Sequence, residues 1–109
     1  MAESRKFNRV YEAAELALTD PWSGEVFIAR SRDISKGGVR FVTDSQLKTE
    51  IDYRALISFA SFPSKIKAVL KIVWIKPDGD DGRLECGSEF VEIADYDRII
   101  LTMLIDSRA

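Results

Sequence analysis

Between residues 10 and 93 the chain alternates apolar and polar positions in short runs, each ended by residues that favour turns. The first run, Val10 to Leu18, stops at Asp20-Pro21-Trp22-Ser23-Gly24, where Pro21 fixes a turn and Gly24 releases the backbone. Glu25 to Arg32 leads into a turn over Asp33 to Gly38, and Val39 to Thr43 continues as a short strand. Tyr53 to Ala60 is a fourth strand, bounded by polar residues before it and by Pro63 after it. Lys65 to Lys76 is the clearest: Ile66, Ala68, Leu70, Ile72 and Trp74 form one unbroken apolar face, with Lys65, Lys67 and Lys71 opposite. Arg83 to Ile93 is the sixth, with Leu84, Cys86, Ser88 and Phe90 alternating against Glu85, Gly87 and Glu89. The period then changes. Over residues 95–107, Tyr96, Ile99, Ile100, Met103 and Leu104 recur at helical spacing, with Asp95 or Asp97 suited to the N-terminal turn.

Strand edges of this length invite aggregation unless paired or covered, so six strands imply closure. The pattern predicts an all-β fold, a six-stranded antiparallel barrel over residues 10–93, with a C-terminal α-helix packed on an opening or an outer face. A chain of 109 residues with 46% hydrophobic content builds one such domain and no second core, so residues 1–109 are read as a single unit with residues 1–9 as a flexible N-terminal arm.

Charge and composition narrow the function classes. A formal net charge of -2 argues against a nucleic-acid polymer as partner, because such binders need a strongly basic face to displace counterions. Positive charge is concentrated early: residues 1–40 carry seven Lys/Arg against six Asp/Glu, and residues 41–109 carry nine against twelve. That suits a small anion near the N-terminal third. With no histidine there is no imidazole base and no His/Cys zinc set. Asp78-Gly79-Asp80-Asp81-Gly82 resembles the start of a calcium loop, but the sixth position is Arg83 where glycine is required, so no metal is expected. The single Cys86, the lack of a signal-like apolar run and the lack of an apolar stretch of spanning length point to the cytoplasm and to no membrane insertion.

Two polar signatures carry the candidate chemistry. Arg5-Lys6-Phe7-Asn8-Arg9 sets two guanidinium groups four residues apart, and Asp33-Ile34-Ser35-Lys36-Gly37-Gly38 follows one hairpin later. Guanidinium forks hold phosphate oxygens or the O6/N7 edge of guanine. A carboxylate accepts from guanine N–H donors, and glycine lets backbone come close. The ligand these groups suit is an anionic guanine nucleotide.

The order Arg-x-x-x-Arg, strand, turn, strand, Asp-x-Ser-x-x-Gly, strand resembles the PilZ domain, the bacterial receptor module for cyclic di-GMP. Val73-Trp74 and Cys86-Gly87-Ser88-Glu89-Phe90 add further similarity in the fifth and sixth strands. The first signature alone arises by chance in about a quarter of chains this long, whereas both together, in order and at hairpin spacing, arise in well under about one per hundred.

The resemblance implies a six-stranded barrel whose arm folds over the ligand. Arg5 and Arg9 would hold phosphate and the guanine Hoogsteen edge, Asp33 and Ser35 would bond the base from the barrel side, and Gly38 would permit the backbone geometry and close approach. Lys6, Lys36, Gly37, Arg40 and Trp74 are secondary contacts on the same resemblance. Trp74 reads either as core or as a stacking platform, and Asp33, Ser35 and Gly38 also suit a plain hairpin turn with glycine at positive φ. Arg30, Arg32, Lys36 and Arg40 raise the local positive potential. Ser4 stands where many members carry a second basic residue, which favours one bound nucleotide over a stacked pair. The expected function is a sensor, not an enzyme and without a cofactor, in which cyclic di-GMP orders the arm and an effector protein reads the result. The alternative is an adaptor of the same fold that works by protein contact without nucleotide.

Overall fold

The computed structural model describes residues 9, 11 and 13–108. Its elements are β1 (Ala14–Thr19), β2 (Val26–Ile34), β3 (Gly38–Thr43), β4 (Asp52–Phe59), β5 (Ile66–Pro77), β6 (Leu84–Ile93) and α1 (Asp95–Arg108). The strands close into an antiparallel barrel in the order β1-β2-β3-β6-β5-β4, so every edge is paired. The six strands and the terminal helix are those the hydrophobic periods predict. Most boundaries shift by about one residue; β1 runs from Ala14, with Val10 of the expected run outside the described residues, and β2 runs on through Asp33 and Ile34, so Asp33 lies in the strand end instead of opening a turn.

Inward side chains from all six strands fill the barrel, among them Leu16, Leu18, Ile34, Phe41, Tyr53, Ile57, Ile66, Leu70, Ile72 and Cys86, each at most 1% exposed. The helix stops one end. Its Leu101, Leu104 and Ile105 join the core, while Tyr96, Ile99 and Met103 face outward. Near its start Asp97 Oδ1 accepts from the Lys67 backbone N–H at 3.3 Å, and near its finish Asp106 pairs with Lys36 Nζ at 3.5 Å. The helix thus spans from the beginning of β5 to the β2–β3 turn. The acidic residues Asp95 and Asp97 complement the positive end of its dipole.

Register breaks shape the outer wall more than the regular ladder does. In β2 the pairing shifts between Ser31 and Asp33, and in β5 it shifts between Ile72 and Trp74. Each bulge inserts one residue, and in strict alternation the residue after it would face the core. Ser31 pairs with inward Phe41, but Asp33 pairs with outward Arg40. Ile72 pairs with inward Ser88, but Trp74 pairs with Gly87. Trp74 therefore leaves the apolar face formed by Ile66, Ala68, Leu70 and Ile72 and is 38% exposed. The five-residue apolar face expected from the sequence ends at Ile72.

Candidate functional site

The bulges before Asp33 and before Trp74 aim at one place, while a further register shift lies between Val69 and Leu70. Asp33 and Trp74 line a cavity of about 550 Å³ on the β2–β3–β6–β5 wall, together with Arg9, Ser35, Gly37, Gly38, Val39, Arg40, Val73, Gly87, Ser88 and Glu89. Across β3, β6 and β5 the outward residues Arg40, Gly87 and Trp74 stand in one row. Gly87 is required by the indole: a Cβ there would overlap Nε1 and Cε2 of Trp74 and stand 2.7 Å from its Cζ2. The indole packs into the space that a side chain at Gly87 would fill, and Lys76 Nζ sits 5.4 Å from its centroid.

Asp33 is 3% exposed, and its two oxygens are taken by two different arginines. Arg9 Nη1 donates to Oδ1 at 2.6 Å and Arg40 Nε donates to Oδ2 at 2.8 Å. The first contact joins the two signatures across 24 positions of sequence. Arg9 Nε is buried and has no hydrogen-bond partner among the described residues. A buried donor without an acceptor is uncommon in a folded protein and marks a place for one.

The turn is organised by its own residues. Ser35 N donates to the Gly38 carbonyl at 2.9 Å, Gly37 N donates to Ser35 Oγ at 3.1 Å, and Phe90 N donates to the Gly37 carbonyl at 3.0 Å. Gly38 does not adopt positive φ; among the described glycines that conformation is found at Gly24, Gly79 and Gly82. Gly38 is needed for close approach instead. A Cβ there would fall inside the Ser88 carbonyl oxygen, 2.9 Å from the carbonyl carbon and 3.0 Å from Glu89 Cα.

Behind Arg40 lies Glu85 of β6. It is 3% exposed although it points to the outer face, because Arg32, Arg40 and Lys76 cover it. Arg40 Nη1 donates to Oε2 at 2.7 Å, Arg32 Nη1 donates to the same oxygen at 3.2 Å, and Lys76 Nζ lies 3.3 Å from Oε1. Burial pushes the Glu85 carboxyl up, but the Lys76 contact and the charges of Arg40, Lys76 and Arg32 outweigh it and hold it below the usual glutamate value. The hydrogen bond to Asp33, with the charges of both carboxylates, raises the pKa of the Arg40 guanidinium against its own desolvation.

Of the residues expected from the sequence, Arg9, Asp33, Ser35, Gly37, Gly38, Arg40 and Trp74 meet around this cavity. Arg5 and Lys6 lie outside the described residues. Lys36 is absent from the lining and reaches α1 through Asp106. Arg32 pairs with Asp78 and Glu85, and Arg30 lines a separate depression on the β1–β2–β3 wall. Val73, Ser88 and Glu89 entered the sequence reading through the family resemblance but not as site residues, and the role of Gly87 beside Trp74 was not anticipated. A second depression of about 500 Å³ on the β1–β4–β5 wall is mainly apolar, with Arg54, Lys67 and Glu92 at its margin, and gathers no comparable set of polar groups. Among the described residues no three His, Cys, Asp or Glu side chains gather as metal ligands, and no helix is long and apolar enough to cross a membrane.

A family model described as PilZ domain matches residues 3–107. No curated protein matches the sequence. Among solved structures, the inhibitor of motility MotI/DgrA of Bacillus subtilis superposes with a TM-score of 0.81 at 19% identity, over 98% of this chain and 52% of that one. The PilZ domain of Escherichia coli YcgR, solved with c-di-GMP, gives 0.75 at 13% identity over 97% and 92%. The c-di-GMP complex of K. pneumonia MrkH gives 0.80 at 16% identity over 98% and 53%. The chain thus spans about half the length of MotI and of MrkH, and nearly all of the isolated YcgR domain.

Proposed function

Since this chain belongs to the PilZ domain family, we propose that its outer-wall cavity binds cyclic di-GMP and that the bound ligand orders the N-terminal arm into a surface read by a partner protein in the cytoplasm. The observation that carries this reading is the meeting of Arg9 with Asp33, Ser35 and Gly38 around one cavity, from signatures that lie far apart in sequence. The cavity is of the size that takes a small ligand. Arginine supplies charge-assisted donors for phosphate, Asp33 an acceptor for guanine N–H groups, and Trp74 an exposed indole face for stacking. No bond is made or broken, so the site acts by binding alone. Fixing the arm costs conformational entropy, which the contacts of Arg5 and Arg9 offset, and the difference in ligand affinity between loose and docked arm is the switch.

Asp33 Oδ1 is held by Arg9, so a guanine that uses this oxygen displaces Arg9 toward the ligand's phosphate or its Hoogsteen edge. If each charged hydrogen bond contributes about 1.5 to 3 kcal/mol, Arg9→Ala weakens binding by roughly 10- to 150-fold. Calorimetric titration of cyclic di-GMP into wild type and Arg9→Ala tests this, and equal affinities would remove Arg9 from the site. One observation favours a second reading, an adaptor that works without nucleotide: Arg9 and Arg40 already satisfy both Asp33 oxygens and leave the carboxylate neutralised. A wild-type titration without heat supports that reading instead.

A further inference from the structure

Glu85 lies outside the cavity lining, yet it holds Arg40, which lines the cavity and is itself bonded to Asp33. Its carboxylate is the common acceptor of Arg40, Arg32 and Lys76. Arg40 passes the constraint on to Asp33 through Nε, and Lys76 passes it on to Trp74 by standing over the indole. We infer that Glu85 is a positioning residue for nucleotide recognition, which fixes Arg40 so that Asp33 presents its carboxylate to the base. This inference rests on the proposed binding of cyclic di-GMP.

The geometry explains why a residue that never meets ligand matters. Arg40 spans two buried carboxylates with donors on different edges of its guanidinium, Nε to Asp33 at 2.8 Å and Nη1 to Glu85 at 2.7 Å. A guanidinium tied at both positions is fixed in plane and cannot swing toward the ligand. Asp33 is then held at Oδ2 while Oδ1 remains exchangeable between Arg9 and a base. Without the charge on Glu85, Arg32, Arg40 and Lys76 share a site that has lost the carboxylate common to all three. The Arg40 plane is then set by Asp33 alone. Removing that negative charge would also, through simple attraction, draw an anionic ligand in more tightly. Positioning and attraction therefore predict opposite signs.

The test is calorimetry of cyclic di-GMP with wild type, Glu85→Gln, Arg40→Gln and the double variant, reading affinity separately from stoichiometry. Stoichiometry follows the folded fraction, so loss of folding appears there and not in the affinity. The expected result is about tenfold weaker binding in each single variant at unchanged stoichiometry, and no further loss in the double variant, because both changes break one relay. Tighter binding or unchanged affinity in Glu85→Gln overturns the inference, as does a double variant in which the two losses simply multiply. A wild type that binds no cyclic di-GMP overturns the function from which the inference is drawn, a failure distinct from any of these.

Discussion

Replacing Gly38 by alanine separates the two reasons a glycine can stand in the second signature. The hydrogen that the methyl group replaces points at the backbone of Ser88 and Glu89, which cannot rotate away as a side chain would. β3 and β6 must therefore part at the Gly38–Glu89 pair, where the Phe90 N–H to Gly37 carbonyl bond and the Ser35 N–H to Gly38 carbonyl bond are anchored. Overpacking costs about 1 to 3 kcal/mol, and each weakened backbone bond adds about 1 kcal/mol, giving roughly 3 to 5 kcal/mol. With a urea slope of about 2 kcal/mol per molar, the unfolding midpoint falls by about 1.5 to 2.5 M. Gly24→Ala is the control. Gly24 has φ of 76° and open space around it, so alanine pays only for the left-handed backbone, about 1 to 2 kcal/mol. If Gly38→Ala proves no more destabilising than Gly24→Ala in urea unfolding, the close-approach argument fails and a role confined to the ligand is left.

Gly87→Ala forces the Trp74 indole off its seat, at a cost of about 1 to 3 kcal/mol. In a Trp22→Phe background, where Trp74 is the remaining tryptophan, its emission should shift to the red; an unchanged spectrum contradicts the packing described. Acid sensitivity provides the next check. The Glu85 carboxyl is depressed below its unfolded value of 4.5, so its stabilisation is fully present above pH 4.5 and disappears as pH falls through the native value. The wild-type urea midpoint should therefore fall more steeply below pH 4.5 than that of Glu85→Gln, and parallel curves would remove Glu85 from the acid response.

The strands and the helix were legible because the barrel is filled by alternating positions, and alternation is what a sequence displays most openly. Asp33, Ser35 and Gly38 were legible as a motif, but the reason for Gly38 was not, since close approach involves β6, some 50 residues away. Trp74 was placed on the wrong side because a bulge adds one residue without altering composition. Val73 between Ile72 and Trp74 reads as an ordinary strand residue. The clue lay in two fragments read separately: Trp74 is a bulky side chain that needs room, and Gly87 is a strand residue without a side chain. Glu85 looked like one more solvated position of an alternating strand. Its burial comes from Arg32, Arg40 and Lys76, which belong to three other strands, and no local pattern reports that meeting.

The pairing of β3 with β6 gives the cavity a history as well as a shape. One half rides on the β2–β3 hairpin and the other on the β5–β6 hairpin, and they meet only when strands about 50 residues apart come into register. A chain still being made has no cavity until β6 has emerged, and local opening of β3 from β6 erases it. Occupancy is therefore conditional on an intact barrel. A ligand that fills the cavity at a hundred times its dissociation constant holds the folded form by about 2.7 kcal/mol, which lengthens the protein's survival against unfolding and proteolysis. Any ligand held at such a seam would stabilise the barrel itself as well as occupy its cavity.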